Sequence, residues 1–300
     1  MTNSTLSLRA RIAQIQDLPT LPRVATQVME LLRDPFFSVE ALSRILHQDP
    51  SLCAKILQIA NSAFYSLRQP VDSVRRAMLV LGAREIQHIV LSLSVFKSLP
   101  DGNGRAAFDR EAFWEHSARS AAVAQAFAGR LRLLAGRPLE KEAEAAFCAG
   151  LLHDLGKIIM ECYFHDEFLE SQSLARTEGL DPREAERRVL GEDHAVIGAW
   201  LAEFWRLPET IIAGIRWHHA PEQAPKHQLL AVCTQLGNHF SRIAGAEGSD
   251  EVVAEFCALP AWTVLRQLVP EVETINLERF TFELDDEFDR ARSFLVIAGV

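Results

Sequence analysis

The sequence predicts an all-helical protein built as a bundle of many helices. Apolar residues recur at helical spacing in the first hundred positions, as in Val24, Val28, Leu31 and Leu32. No stretch of useful length alternates apolar and polar residues as a half-buried strand does. Prolines separate the short apolar segments, at Pro19, Pro22, Pro35, Pro50 and Pro70. Together these observations favour a stack of short helices.

The N-terminal helices carry recognisable starts and ends. Ser38 is predicted to cap the helix that opens with Val-Glu-Ala-Leu, and Asp49 precedes Pro50, which suits a first helical turn. The helix that follows is predicted over 51–60. The segment 71–95 predicts two helices separated at Gly82, since glycine there interrupts an otherwise apolar run.

The turn-rich stretch 99–105, Leu-Pro-Asp-Gly-Asn-Gly-Arg, predicts a hinge near residue 102. It divides an N-terminal helical lobe, 1–102, from a second helical domain, 103–245, and a C-terminal extension, 246–300. The last helix is expected over 285–297, with the acidic run 285–289 at its start. In the second domain helices are predicted near 110–134, 141–162, 165–178, 182–189, 193–205, 208–217 and 226–243.

Composition narrows the class of protein. Three hundred residues, 48% of them hydrophobic, can bury a core without disulfides. A net charge of −9 argues against a general nucleic-acid surface. No apolar run is long enough for a membrane span and no leader pattern opens the chain, so we expect a cytoplasmic protein. The five cysteines are expected to be buried thiols in a reducing compartment: Cys53, Cys148, Cys162, Cys233 and Cys257.

An adjacent imidazole and carboxylate interrupt an apolar segment at His153 and Asp154. Placed on one helical turn, the pair could supply a nitrogen and an oxygen to the same ion. It could also be a hydrogen-bonded pair in the core that needs no ion. Lys157, one turn further, could contact an anionic ligand or cap a helix C-terminus.

Four more histidines lie in apolar helical contexts: His116, His194, His218 and His219. Alone, His116 and His194 would be interpreted as core histidines, but together the four predict ligands that converge on the His153 and Asp154 pair. Because His218 and His219 are adjacent, only one of the two rings is expected to face the site directly. Mixed nitrogen and oxygen ligands suit a divalent iron, manganese or zinc ion.

The order of these residues is similar to that of the HD phosphohydrolase superfamily, in particular the HD-GYP branch, which hydrolyses cyclic di-GMP. Other segments resemble the HDOD family over about 15–245: Pro-Thr-Leu-Pro22, Asp49-Pro-Ser-Leu, Ala60-Asn-Ser-Ala63-Phe-Tyr65 and Ala77-Met-Leu-Val-Leu-Gly82. The resemblance implies an HD-type helical domain packed on an N-terminal helical lobe. It also implies a role in bacterial signal transduction, often without catalysis.

By the HD pattern the metal ligands match the residues named above, with one departure. The final aspartate of the family falls on Asn238, in Thr-Gln-Leu-Gly-Asn238-His239. An amide oxygen can coordinate a metal, but it carries no charge and cannot act as a general base. The Gly-Tyr-Pro signature is also replaced, by Ala220-Pro-Glu-Gln. Hydrolysis of cyclic di-GMP is therefore not expected.

Two functions remain open. In the first, the protein is a regulatory module that binds signalling proteins, and a metal serves structure or sensing. In the second, it is a metal-dependent phosphohydrolase in which Lys157 holds the phosphate, which makes a small anionic ligand a candidate partner. The aromatic residues Trp200, Trp205, Trp217 and Phe204 are expected in the core. No function is expected for the histidines in polar contexts, which are His47, His88, His165, His227 and His239.

Overall fold

The computed structural model describes residues 7–62, 65, 69–100, 108–135, 140–242 and 255–299, and within these ranges it is helical without strands. The predicted all-α class is confirmed. The helices are α1 (Leu8–Ala13), α2 (Arg23–Leu31), α3 (Val39–Leu46), α4 (Pro50–Ala60), α5 (Val74–Leu81), α6 (Ala83–Ser98), α7 (Arg110–Ala135), α8 (Glu140–Leu152), α9 (Leu155–Tyr163), α10 (His165–Glu178), α11 (Pro182–Leu190), α12 (His194–Phe204), α13 (Glu209–Trp217), α14 (Gln228–Arg242), α15 (Pro260–Leu268) and α16 (Leu277–Ala298), with 3-10 turns at Pro221–Gln223 and Pro270–Thr274.

The predicted caps of the N-terminal lobe are present. The Ser38 hydroxyl accepts a hydrogen bond from the Ala41 amide at 3.0 Å and starts α3. Asp49 Oδ1 accepts from the Leu52 amide at 3.1 Å, with Pro50 in the first turn of α4. Helices α2 to α6 pack on one another around an apolar core, and α6 contacts α8 of the second domain.

The chain turns sharply at Gly82, where φ is +90°, a value that favours glycine over residues with a side chain. The predicted break between α5 and α6 is therefore confirmed. In the part of the chain that the structure describes, no single helix has the length and apolar composition needed to cross a membrane. Helices α5 and α6 meet that test only together, and the bend between them is 116°.

The helices after residue 108 are organised around α7, which packs against α8, α14 and α16. The C-terminal helix α16 also reaches α4 of the N-terminal lobe. The contacts are aromatic as well as aliphatic: the Phe294 ring lies 5.2 Å from that of Phe147 on α8 and 6.2 Å from that of Phe96 on α6. The C-terminal extension thus joins both parts of the chain.

Several details of the sequence prediction need correction. The last helix begins at Leu277, capped by the Asn276 side chain, so the acidic run 285–289 lies within the helix and not at its N-terminus. Of the five cysteines expected to be buried, Cys148 and Cys233 are buried, Cys53 and Cys162 are half-buried, and Cys257 is exposed. His88 is buried, although its sequence context looks polar. Phe204 exposes 54% of its surface and is not a core residue, whereas Trp205 is buried and donates to the Pro19 carbonyl.

The predicted domain boundaries remain predictions. Both the hinge at residue 102 and the boundary at 245 lie outside the described residues.

Candidate metal centre

The His153 and Asp154 doublet lies at a break between two helices. The single helix predicted over 141–162 is wrong: α8 ends at Leu152 and α9 begins at Leu155. Asp154 occupies the N-cap position of α9, yet its carboxylate makes no capping hydrogen bond. The carboxylate is thereby free to face the interior, where it is 1% exposed.

Gly156 allows α9 to approach α12. A Cβ atom at this position would lie 2.0 Å from the backbone oxygen of His194, which is far inside van der Waals contact. The absence of a side chain therefore lets α12 bring His194 next to Asp154.

Asp154 lies at the centre of four imidazoles. Its Oδ1 is 3.1 Å from His194 Nε2 and 3.7 Å from His218 Nε2. Its Oδ2 is 3.3 Å from His153 Nε2 and 3.7 Å from His116 Nε2. The ligands come from α7, α12, the break after α8 and the end of α13, so the tertiary fold assembles them from distant parts of the chain.

The ligand atoms form two groups that share Asp154. The Oδ1 group consists of Asp154, His194, His218 and His219, and the Oδ2 group consists of Asp154, His116 and His153. Within each group the donor atoms lie within 4.8 Å of one another. Donors bound to one tetrahedral zinc ion at about 2.0–2.1 Å would be roughly 3.3 Å apart. The separations around Asp154 therefore match those of a metal centre.

The ring orientations favour metal binding. His153 Nδ1 donates to the Gly150 carbonyl, and His218 Nδ1 donates to the Ile215 carbonyl, each at 2.7 Å. Because a neutral imidazole that donates through Nδ1 has its lone pair on Nε2, the inward nitrogen of each ring is a ligand atom. Both His218 and His219 approach the cluster, so the expectation that only one ring would do so is wrong.

Glu186 on α11 is a functional candidate that sequence reasoning missed. One of its oxygens, Oε2, accepts from both the backbone amide of His194, at 2.9 Å, and the His194 ring Nδ1, at 2.7 Å. The residue is 4% exposed. A carboxylate behind a ligating histidine fixes its tautomer and raises its basicity. A signal existed, since Glu186 lies four residues before buried Leu190 on the same helix face.

The cluster leaves buried polar atoms without hydrogen-bond partners, which is unusual in a folded interior. Five buried atoms of the cluster have no hydrogen-bond partner: His116 Nε2, His153 Nε2, His218 Nε2, Asp154 Oδ1 and Asn238 Oδ1. Four of these five atoms belong to the two ligand groups, and the three imidazole nitrogens have their lone pairs directed inward. The residues present therefore fit a metal ion, which would satisfy these atoms.

Burial and neighbouring charges shift the pKa values of the cluster. Burial, together with His153, lowers the pKa of His116 to about 3 and that of His218 well below its usual range. Burial alone would raise the pKa of Asp154, but His153 and Lys157 outweigh it and hold that pKa well below its usual range. The neutral imidazoles and the ionised carboxylate are the forms that bind metal.

His194 differs from the other rings. Burial opposes its protonation, but the Glu186 carboxylate outweighs burial and raises its pKa to about 9. Its Nε2 lies 2.9 Å from His219 Nε2, a hydrogen-bond distance, so one of the two nitrogens carries a proton and donates it to the other. Burial and the nearby His218 keep the pKa of His219 well below its usual range, which makes that ring the acceptor. A metal bound here would displace this proton.

Lys157 is paired with Asp154. Its ammonium lies 2.5 Å from Asp154 Oδ2, and the side chain is 23% exposed. It sits in the first turn of α9, so it does not cap a helix C-terminus. The Asp154 oxygen of the Oδ2 group therefore already contacts a cation.

Asn238 lies on α14, one turn before Ser241, and its buried Oδ1 is unpaired. Ser241 Oγ lies 3.0 Å from His116 Nδ1 and donates to the Asn238 carbonyl at 2.9 Å. The hydroxyl therefore accepts from the Nδ1 hydrogen of His116, which directs the lone pair of that ring to Nε2. Ser241 is a second residue that sequence reasoning missed.

Known proteins share this fold. An uncharacterized protein of Treponema pallidum (strain Nichols) is 25% identical over 226 residues, which are 74% of this chain and 42% of that protein. The chain thus spans less than half the length of this curated relative. The crystal structure of an HDOD domain protein of unknown function from Geobacter sulfurreducens is 25% identical, with 97% of this chain and 96% of that one covered and a TM-score of 0.73.

A Shewanella amazonensis SB2B protein that is provisionally named a phosphohydrolase is 22% identical, and its likeness concerns the fold alone. There 96% of this chain and 97% of that one are covered, with a TM-score of 0.70. The HDOD domain family itself matches residues 18–221, more than half of the chain, and includes all six residues of the two ligand groups. The chain belongs to the HDOD family.

Proposed function

We propose that this chain is a bacterial regulatory protein that binds other signalling proteins through its helical surfaces. In this proposal a divalent metal, held by the Oδ1 group, serves structure or sensing. The observation that carries it is the position of Lys157, whose ammonium occupies Asp154 Oδ2, the oxygen through which a second metal ion would bind. A cation at 2.5 Å from that oxygen opposes a second ion by charge repulsion.

The chemistry around the cluster supports regulation over turnover. Asn238 stands where the HD pattern has an aspartate, and an amide cannot take a proton from water. The inner ligands His153, Asp154, His194 and His218 are each at most 2% exposed. A dinucleotide could therefore contact only the outer edge of the cluster, near Lys157.

A metal-dependent phosphohydrolase is the second candidate. The unpaired nitrogens of His116, His153 and His218 favour it, because they are ready to hold an ion. A bound iron, manganese or zinc ion would lower the pKa of a coordinated water toward neutrality. Lys157, at the edge of the cluster, would then hold the phosphate of a small anionic ligand.

Partners and location complete the proposal. The net charge of −9 favours protein partners over nucleic acid, since phosphate backbones require accumulated lysine and arginine. The cysteines are free thiols, which favours a reducing compartment and hence the cytoplasm.

The test combines metal analysis with an activity assay. The chain, purified without chelators, is expected to contain iron, manganese or zinc. We expect no turnover of cyclic di-GMP or of bis(p-nitrophenyl) phosphate with added Mn²⁺ or Fe²⁺. Activity confined to Asn238→Asp would indicate that the missing carboxylate disarms the site. Turnover by the unaltered chain at about one per second, within the usual range of enzymes, would overturn the regulatory proposal.

A further inference from the structure

A cavity of about 300 Å³ lies apart from the metal centre, between the N-terminal lobe and the end of α16. Its walls come from the start of α2, the first half of α4, the last turns of α6 and the C-terminal end of α16. None of the lining residues belongs to the two ligand groups. Small-molecule sites often form between packed parts of a protein, at volumes from about 300 Å³ upward.

The lining is apolar inside and cationic at two points. Leu52, Leu93 and Phe96 supply hydrophobic surface from α4 and α6. Lys97 lies on the solvent side, with 70% of its side chain exposed, and Lys55 lies on the wall next to α16. An apolar chamber with a few convergent polar groups is the usual form of a ligand pocket.

The charges of the lining sum to a single positive charge. Lys55 and Lys97 contribute two, and Asp49 contributes one negative charge. The Asp49 carboxylate is engaged through both oxygens: Oδ1 accepts from the Ser51 hydroxyl at 2.7 Å and caps α4, and Oδ2 lies 4.0 Å from the ammonium of exposed Lys97, which a ligand carboxylate would share with it. Hydrogen bonds from Ser51 and Leu52 also lower its pKa, so it remains ionised. The cavity is thus a cationic site on a chain of net charge −9.

Lys55 also connects the cavity to the C-terminal helix. Its ammonium donates to the carbonyl of Ala298, one of the last carbonyls of α16. A lysine at a helix C-terminus stabilises the exposed carbonyls. An ammonium has three donors, and this bond uses one of them. An anion in the cavity could therefore bind Lys55 in place of, or together with, the helix end.

We propose that this cavity binds a small monocarboxylate with an apolar tail. The carboxylate pairs with Lys55 and Lys97, and the tail packs on Leu52, Leu93 and Phe96. The single net positive charge matches a carboxylate better than a phosphate monoester, which carries about 1.5–2 negative charges at pH 7. The volume holds roughly ten water-sized groups, so the ligand has about ten non-hydrogen atoms.

Isothermal titration of the full chain with octanoate, which has an apolar tail of this size, tests the proposal. We expect saturable binding with a Kd of about 1 mM, as for ligands this small. Octanol, which lacks the charge, and octyl phosphate, which carries more of it, should each bind more weakly. Lys97→Gln should weaken octanoate binding about five-fold, and Lys55→Gln about ten-fold or more, because charged hydrogen bonds to the carboxylate are lost.

Lys226→Gln is the matched control, since Lys226 is 67% exposed and pairs with Glu209 away from the cavity. Its affinity for octanoate should equal that of the unaltered chain. If Lys55→Gln loosens α16, the exposed Lys97→Gln still reports on the site. Absence of saturable binding, equal binding by Lys97→Gln, or equal binding of octanol would each overturn the proposal. The metal content of the chain does not enter this test, so the outcome is independent of the proposed function.

Discussion

The two ligand groups that share Asp154 differ in how they are completed. The Oδ1 group has three imidazoles, and one of them, His194, is supported by the buried carboxylate of Glu186. The Oδ2 group has two imidazoles, and the ammonium of Lys157 lies on its carboxylate oxygen. On the Oδ1 side the positive charge is the proton of His194, which a metal ion can replace, whereas on the Oδ2 side it is the ammonium of Lys157, which remains.

This difference predicts that the first metal ion binds to the Oδ1 group. That group offers four donor atoms. The carboxylate of Glu186, which contacts the His194 ring, adds a second negative charge that compensates the charge of a divalent ion. The Oδ2 group would have to accept its ion beside an ammonium. We therefore expect one tightly held ion per chain.

The largest effect is expected for Asp154→Asn. This change removes the charge that both groups share while it keeps the volume of the side chain. Loss of a group that only hydrogen-bonds to a ligand weakens metal binding about 10- to 100-fold, so we expect loss of this ligand itself to weaken it by more than about 100-fold. The measurement is metal content by elemental analysis, with zinc affinity from competition with a chromophoric chelator.

The control for this variant is its fold, checked by circular dichroism and thermal unfolding. Metal content equal to that of the unaltered chain would show that Asp154 does not hold the ion.

Glu186→Gln should have the next largest effect. The amide can still accept from the His194 ring, but it supplies no charge to support a cation. We expect zinc affinity to fall by about 10- to 30-fold, within the range seen for such partners. Glu184→Gln is the matched control on α11, because the Glu184 side chain is 41% exposed and pairs with Arg187 and Arg188. Equal affinities of the two variants would rule out the role of Glu186.

The contrast between Glu186 and the histidines shows what the sequence can predict. Histidines in apolar helices stand out by residue type, and their order matches a known family, so His116 and His194 could be named from the sequence. Glu186 lies in the charged segment Pro-Arg-Glu-Ala-Glu-Arg-Arg, where any one glutamate looks solvated. Its place on the same helix face as Leu190 suggests burial, but only the packing of α11 against the cluster shows that Glu186 supports His194 and Glu184 does not.

The helix break at His153 and Asp154 could not be predicted for a related reason. Caps such as Ser38 and Asp49 act within one turn of chain, so the sequence contains the whole cause. The segment 141–162 contains no proline, and its local pattern continues as a helix. The break coincides with contacts from α12 and α13, which are distant in the sequence.

Lys157→Met should change the Oδ2 group and leave the Oδ1 group nearly as it is. Without the ammonium, Asp154 Oδ2 becomes available, and we expect affinity for a second ion to rise about ten-fold through loss of charge repulsion. Zinc titration followed by calorimetry would measure both binding events. Lys226→Met, which alters an exposed lysine in another part of the chain, serves as the control. A second ion bound with unchanged affinity would remove Lys157 as the cause of the asymmetry.

The smallest effect is expected for Ser241→Ala, because it acts on one ring of the weaker group. The Ser241 hydroxyl holds His116 in the tautomer whose Nε2 faces Asp154, and without it both tautomers become accessible. Apparent metal affinity falls in proportion to the population of the tautomer that can bind. A ring divided between two tautomers should therefore bind the ion about two- to three-fold more weakly. The effect should appear only for the second ion, so it is measured in the Lys157→Met background. Ser117→Ala is the control. Ser117 follows His116 on α7, and its buried hydroxyl has no hydrogen-bond partner, so its removal should leave the affinities for both ions unchanged. If Ser241→Ala lowered the affinity for the first ion as much as that for the second, the two groups would not bind their ions independently, and the proposed asymmetry around Asp154 would be wrong.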